Sequence, residues 1–497
     1  MTMTWRPRST RGRLFLVAGL AVATALFLAT VPLHRHWFDL RVYYGAVDSW
    51  QQGGRIYDYL VPGTHYGFTY PPFAAICMLP MILIGWPGAV AISVLLNVSA
   101  AAAVLYCSAA AVVRRQGWSR WYTFAVAGCL FALLEPVRDT FSFGQVNLLL
   151  LALVLADAWL LSTGGGRAAG RGGTVGGGRF AGRGGAAGLG RLAGLGIGLA
   201  AAIKLTPAIF IGYLLVTRRW RAAATASGVA ISATLLALWL APGASRVYWT
   251  DAMWDTDRVG RLAYVSNQSW QGVLARLAEP DDPSRTVWAL GVLVLLCVWV
   301  WRVRRAVAAG DELAGFALTG LTACLISPVT WVHHLVWVFP ALAVLTDAGL
   351  RAGTEDPRRR RLLLRWAGTI YVLLCSSVVW LWSWGAGGID GFLGSNTYVW
   401  ICLGLLLALP LREGARSNVP KATSDVPAAT SGGPEAMSSG TSGRPGGPAR
   451  PRPQPTGSAT MGACTHATEY PWESRHSARP ASPTPPASRS APSGSDG

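Results

Sequence analysis

Residues 36–73 read HWFDLRVYYGAVDSWQQGGRIYDYLVPGTHYGFTYPPF and directly follow the first hydrophobic segment, residues 14–32. The stretch opens with an acid close behind a membrane exit, Asp39, continues through an aromatic amphipathic run and ends in Phe68-Thr-Tyr-Pro-Pro72. An acid held at a membrane surface beside Arg41, Tyr43 and Tyr44 points to chemistry at the bilayer boundary. The plainer alternative is a polar loop carrying interfacial aromatics. Which reading holds depends on where the other polar clusters fall.

The chain has 497 residues, 52% of them hydrophobic and 13% charged, with 23 Trp, the composition of a polytopic membrane protein and not of a soluble enzyme. The net charge of +19 is almost all arginine, placed in short loops between apolar segments and in the tails. That is the positive-inside pattern, which accounts for the charge without nucleic-acid binding. The eight cysteines are scattered singly, several inside apolar segments (Cys107, Cys129, Cys297, Cys375), with no CxxC and no zinc spacing. They read as thiols packed in helices, with no disulfide framework. Residues 14–31 are long enough to span a bilayer and are followed by no small-residue cleavage site, so no cleavable signal is expected.

Arg6, Arg8, Arg11 and Arg13 place the N-terminal residues 1–13 in the cytoplasm, and Asp39 then follows the first span on the outer face. If residues 69–85 and 88–113 both crossed, Arg114, Arg115 and Arg120 would lie outside. Three prolines in 69–85 also make a full helix poor, so this segment is expected to be re-entrant or juxtamembrane. Alternation then runs through apolar segments at 119–135, 146–161, 192–203, 208–217, 222–241, 286–301, 312–326, 335–347, 362–382 and 398–412. The short pair around Lys204-Leu-Thr-Pro207 reads as a dipped hairpin. With 14–32 and 88–113 this makes about twelve transmembrane helices, both termini cytoplasmic, every basic loop inside. Residues 14–412 form one all-α membrane domain, interrupted by a cytoplasmic Gly/Arg-rich linker at 162–191. A Pro/Ser/Gly-rich tail, 413–497, is expected to be disordered and cytoplasmic.

This topology puts the unusual polar motifs on one face: Asp39 with Arg41 and Tyr43; Glu135, Arg138 and Gly144-Gln-Val-Asn147; Lys204; Asn267-Gln-Ser269; and Ser327-Pro328 with His333 and His334. Polar groups at membrane depth are costly and tend to be functional. Lys204 is one of only two lysines, the other being Lys421 in the tail. A lone lysine at an apolar helix end is a compact charge suited to a phosphate, or else a snorkelling side chain. Lys204, Arg138 and His334 are candidates to hold a phosphate. Gln145, Asn147, Asn267 and Gln268 are candidates to contact sugar hydroxyls, the alternative for Gln145 and Asn147 being a helix N-cap or an inter-helix hydrogen bond. Adjacent helical residues point apart, so only one of His333 and His334 is expected in a site.

A membrane cavity with one carboxylate and several phosphate donors suits a sugar carried on a lipid phosphate, which needs no nucleotide pocket. No Gly-rich nucleotide loop is present. Cations and hydrogen-bond donors ease departure of the phosphate, and one carboxylate serves as general base toward an acceptor hydroxyl. Direct displacement inverts the anomeric centre. Asp48 and Asp58 lie too far along the chain from Asp39 to form a DxD, so neither a metal nor another cofactor is called for.

The motifs Asp39-Leu-Arg-Val-Tyr43, Phe68-Thr-Tyr-Pro-Pro-Phe73, Gly144-Gln-Val-Asn147, Lys204-Leu-Thr-Pro207, Asn267-Gln-Ser269 and Ser327-Pro through His333-His334, in this order, resemble glycosyltransferase family 87. These are the polyprenyl-phosphate-mannose-dependent α-(1→2)-mannosyltransferases of actinobacteria, within the GT-C superfamily. The resemblance covers roughly residues 14–412. It implies a GT-C fold, Asp39 as catalytic base, a histidine of the 333–334 pair near the donor phosphate, and an external active site with a membrane-embedded lipid donor. The Arg- and Ala-rich, Lys-poor composition agrees with a high-GC actinobacterial source. The expected activity is inverting transfer of mannose from polyprenyl-phosphate mannose to a cell-envelope glycolipid of phosphatidylinositol mannoside or lipomannan type, in the plasma membrane. Transfer of another polyprenyl-phosphate sugar such as arabinofuranose is the nearest alternative. A transporter or flippase fits less well, since the polar groups gather on one face and do not line a midplane path between repeats.

Overall fold

The computed structural model describes residues 9–31, 37–64, 66–164, 190–255, 258–353, 355–383, 385 and 387–412. Arg6 and Arg8, most of the Gly/Arg linker and the tail from residue 413 lie outside the described residues, with the expectations made for them.

The described chain is helical, with one isolated bridge, Leu60 to Gly67, and no strand among the described residues. In lipid the backbone must satisfy its own hydrogen bonds, and a helix does so within one segment. The helices are α1 (Thr10–Thr30), α2 (Phe38–Gln51), α3 (Pro72–Met78), α4 (Pro80–Arg115), α5 (Arg120–Leu133), α6 (Glu135–Phe143), α7 (Asn147–Gly164), α8 (Leu195–Ile203) and α9 (Ile209–Val216). They continue with α10 (Trp220–Leu240), α11 (Trp270–Ala278), α12 (Arg285–Ala308), α13 (Glu312–Ile326), α14 (Val338–Ala352), α15 (Pro357–Cys375), α16 (Gly388–Ser395) and α17 (Thr397–Ala408). Short helical turns at Thr206–Ala208, Pro242–Val247, Tyr248–Ala252, Val332–Trp337 and Val378–Trp382 join them.

Among the described residues five helices are long and apolar enough to cross a membrane: Thr10–Thr30, Pro80–Arg115, Trp220–Leu240, Arg285–Ala308 and Val332–Ala352. The count rises to seven if the bent pairs Glu135–Phe143 with Asn147–Ser162 (119°) and Gly388–Ser395 with Thr397–Ala408 (62°) are each one span. This is a polytopic all-helical membrane protein. Each of the twelve apolar segments read from the sequence contains a helix, but several are short; the hairpin helices α8 and α9, nine and eight residues long, reach only about 12–14 Å.

Residues 69–85 hold no spanning helix: α3 is seven residues long, and the backbone breaks again at Gly85 (φ 66°, ψ 175°). Residues 362–382, expected as one span, are divided. α15 stops at Cys375, Ser377 takes a left-handed conformation (φ 56°), and a 3-10 turn follows. Arg138 occupies the break by donating to the Cys375 carbonyl and to Ser377 Oγ.

Two hydrophobic cores result. The larger fills the bundle between α4, α7, α8, α13, α14 and α17. The smaller is a satellite built by α2, residues 56–78 and Tyr248, and is rich in aromatic rings: Tyr43, Tyr57, Phe68, Tyr70 and Tyr248. It fixes α2, and with it Asp39, against the bundle.

Candidate active site

Asp39 occupies the first turn of α2. Trp37, just before it, is held left-handed at φ 51°, and its N–H donates to the Ser142 carbonyl at the end of α6 (3.2 Å). Such a backbone costs about 1–3 kcal/mol and persists only where its surroundings impose it. Gly144 turns the chain from α6 into α7 at φ +71°, where a Cβ would lie 2.7 Å from Leu40 Cβ, so only glycine lets α2 come this close. That turn delivers Gln145 and Asn147 to the acid. Asn97 of α4 secures it by donating to the Gln145 carbonyl (3.1 Å).

Lys204 ends α8 in an extended conformation, before Pro207 opens the next turn. Its Nζ donates to Asn147 Oδ1 (3.1 Å) and the Tyr70 hydroxyl (3.3 Å) and lies 2.8 Å from His334 Nε2. The Tyr70 hydroxyl also accepts from Tyr43 (2.8 Å) and donates to Gln145 Oε1 (2.9 Å). Gln145 bonds in turn to Asp39, and Lys204 acts on that acid through its charge. Asp39 Oδ2 is buried and has no hydrogen-bond partner among the described residues. Five separate stretches of chain thus meet around one carboxylate and one amine.

Burial pushes the Asp39 carboxyl up to about 6, against the pull of Gln145 and Lys204. Burial also brings the Lys204 ammonium down to about 8, with Asp39 and Cys324 opposing. His334 Nδ1 accepts from the Trp331 amide (3.1 Å), which turns Nε2 toward Lys204.

A buried carboxyl and a buried lysine meet in this way at an apolar helix break, and comparison with known proteins assigns the family. The model of glycosyltransferase family 87 matches residues 68–328, more than half of the chain. A polyprenol-phosphate-mannose-dependent alpha-(1-2)-phosphatidylinositol mannoside mannosyltransferase of Mycobacterium tuberculosis (strain ATCC 25618 / H37Rv) is 31% identical over 429 residues, 81% of this chain and 91% of that protein. This chain belongs to glycosyltransferase family 87. A Mycolicibacterium smegmatis protein named as the corresponding pentamannoside mannosyltransferase is 33% identical over 365 residues, 71% of this chain and 78% of that protein. No solved structure matches. The chain is therefore a membrane glycosyltransferase. The family match begins after Asp39 and ends before His334, so the structure, not that match, ties these two residues to the rest.

Of the candidate residues in this family 87 chain, Asp39, Tyr43, Gln145, Asn147, Lys204 and His334 come together. Arg41 does not: it is exposed, with its guanidinium over the Trp86 ring at 5.2 Å. Arg138, expected at a phosphate, is a brace. It bonds the Leu133 and Cys375 carbonyls (3.0 Å each) and Ser377 Oγ (2.8 Å) and lies over the Phe27 ring. Asn267, expected at a sugar, bonds the Leu262 and Pro328 carbonyls and the Thr330 amide. Gln268 donates to the Val265 and Ser395 carbonyls. Both pin the 262–269 loop to the 328–330 turn and to α16. His333 packs against Phe143 (5.3 Å), and its carbonyl accepts from Asn147 Nδ2 (3.2 Å). Tyr70 and Asn97 were missed. Tyr70 stands in the conspicuous FTYPPF motif, but nothing local shows that its hydroxyl links three other side chains. Among the described residues no three His, Cys, Asp or Glu gather as a metal would require.

Proposed function

We propose that this family 87 enzyme transfers mannose from polyprenyl-phosphate mannose to a phosphatidylinositol mannoside or related cell-envelope glycolipid, forming an α-1,2 linkage with inversion. The observation that carries the mechanism is the single carboxylate, Asp39, with an unpartnered buried oxygen beside Lys204, His334, Asn147 and Gln145. The relatives' names, with identities of 31–33%, support the donor and the acceptor class.

Asp39 takes the proton of the acceptor hydroxyl as its oxygen attacks the anomeric carbon. The bond from that carbon to the phosphate oxygen breaks, and its electron pair leaves with the lipid phosphate. Lys204, as ammonium, and His334 Nε2–H stabilise the charge that gathers there. A carboxyl raised to about 6 is a better base than an exposed one and is still ionised at neutral pH. Asn147 and Gln145 orient the lysine and the acid. No metal or other cofactor enters the scheme. The short helices α8 and α9 cross as a thinned hairpin, about twelve helices span the bilayer with both termini cytoplasmic, and the active site opens to the external face of the plasma membrane. Residues 14–412 are the catalytic domain.

Membranes containing the full chain are given labelled polyprenyl-phosphate mannose and an actinobacterial glycolipid extract. Transfer that persists in EDTA and is lost in Asp39→Asn supports the reading. Transfer only from the arabinose donor moves the substrate, and full activity in Asp39→Asn removes the mechanism.

A further inference from the structure

An aromatic rim leads away from the charged cluster. It starts at Phe38, next to Asp39, whose ring meets Tyr66 edge-on at 5.6 Å. Tyr66 and Trp331 close over Gly260 (φ +122°), where a Cβ would lie 3.1 Å from Tyr66 and 3.3 Å from Trp331. Trp331 meets Tyr264 at 6.1 Å, and Tyr264 meets Trp380 at 5.9 Å, both edge-on. Five stretches of chain supply the five rings.

Three of these residues are anchored from beneath by polar bonds. The Trp331 amide donates to His334 Nδ1 (3.1 Å), tying the rim to the lysine's partner. The Tyr264 carbonyl accepts from Arg276 Nη1 (3.0 Å), and Arg276 also holds Asn396 Oδ1 (3.2 Å from Nε). Trp380 Nε1 donates to Glu135 Oε1 (2.5 Å). Above these anchors Tyr264 is 45% exposed, and Trp331 and Trp380 are half-buried. Pre-fixed aromatic residues offer large amphipathic contact area at little entropic cost. A membrane-interface belt sets rings at both membrane–water interfaces to hold depth. Here the rings form two contacting sets, Phe38 with Tyr66 and Trp331 with Tyr264 and Trp380, that flank Gly260, and both Phe38 and Trp331 are linked directly to residues of the reacting cluster.

We propose that this rim binds the sugar portion of the acceptor, laying its C–H face on Tyr264 and Trp331 so that the hydroxyl beyond reaches Asp39. The proposal rests on the mannosyl-transfer reading and adds where the acceptor lies.

The test is equilibrium binding of a short-chain alkyl α-mannoside to the detergent-purified full chain without donor. Tyr264→Ala weakens binding about tenfold, the ratio corresponding to roughly 1.4 kcal/mol of contact. Tyr264→Trp restores it. Tyr264→Leu, which keeps bulk without a flat ring, behaves like the alanine variant, and an unfolding temperature unchanged in both variants excludes misfolding as the cause. In transfer assays the acceptor KM moves by the same factor while the donor KM stays. Equal mannoside binding by wild type and Tyr264→Ala overturns the proposal, as does a loss seen only in vesicles, the result a membrane belt gives. If wild type binds mannoside through Tyr264 but transfers no mannose, the transfer reading fails and the rim stands. If wild type transfers and Tyr264→Ala keeps its acceptor KM, the rim fails and the transfer reading stands.

Discussion

The helices α9 and α13 have a charged cluster at each end, and the two clusters treat charge in opposite ways. At the far end from Lys204 the carboxylates have cations. Glu312 is paired with Arg219 and accepts from Tyr213 (2.6 Å). Asp347 lies between Arg115 and Arg351 (3.5 Å), and Asp311 takes the Arg412 amide (3.2 Å) while capping α13 through Ala314 N (3.4 Å). At the near end Asp39 keeps an oxygen without a hydrogen-bond partner among the described residues, and the lysine beside it is held by Asn147, Tyr70 and His334, with no carboxylate bonded to it. Buried ions that pair with one another hold helices in register at no great gain in stability. A buried acid and lysine held without a direct ion pair are the kind of perturbed groups that gather at functional sites, which is the basis of the proposed mechanism.

The comparison breaks most visibly at Asp39. Asp39→Asn keeps the shape and should lower transfer by about 10²–10⁴-fold, the range for a lost general base, with the unfolding temperature unchanged. Lys204→Met should cost about 10²–10³-fold in transfer, as does loss of one donor to a developing oxyanion. Lys204→Arg should recover part of this and remove the alkaline limb of the pH profile.

That profile sharpens the contrast further. Asp39 must be ionised to accept a proton, so kcat/KM should fall as pH drops through about 6. Lys204 must be charged to hold the phosphate, so it should also fall as pH rises through about 8. A flat profile between pH 5 and pH 9 would mean that these two groups do not carry the reaction.

At the paired end the outcome is reversed. Glu312→Gln leaves Arg219 without its carboxylate and should cost about 1–3 kcal/mol, a buried-pair figure reduced for the partial exposure of both groups. A lower unfolding temperature with donor and acceptor KM near wild type is the expected signature. The smallest effect is expected from Arg41→Ala, within about twofold in transfer, since that side chain lies on the exposed face over Trp86.

Much of the site was legible because membrane depth makes polar residues conspicuous. Lys204 in a Lys-poor chain, Gln145 and Asn147 after a glycine, and Asp39 behind the first span all drew notice on chemistry alone. Arg138, Asn267 and Gln268 drew the same notice for the wrong reason. A buried polar side chain must be satisfied, but its sequence does not say whether a substrate or a main-chain carbonyl satisfies it. Arg138 meets the break after α15, more than two hundred residues away in the chain. Tyr70 escaped because its role is a junction between Tyr43, Gln145 and Lys204, visible only once three distant elements are packed together.

The sequence by itself determined the all-helical membrane class, the apolar segments, the proline-disrupted stretch after α2 and the family, because hydropathy and short motifs are local properties of the chain. Only the tertiary structure decided which of the two histidines meets Lys204 and that Arg138 is a brace. Those outcomes depend on the 119° turn at Gly144, on the 3-10 turn at Val332–Trp337 and on the aromatic core that holds α2. Hydrogen bonds act over about 3 Å, and distances that short between remote residues exist only after the helices have packed.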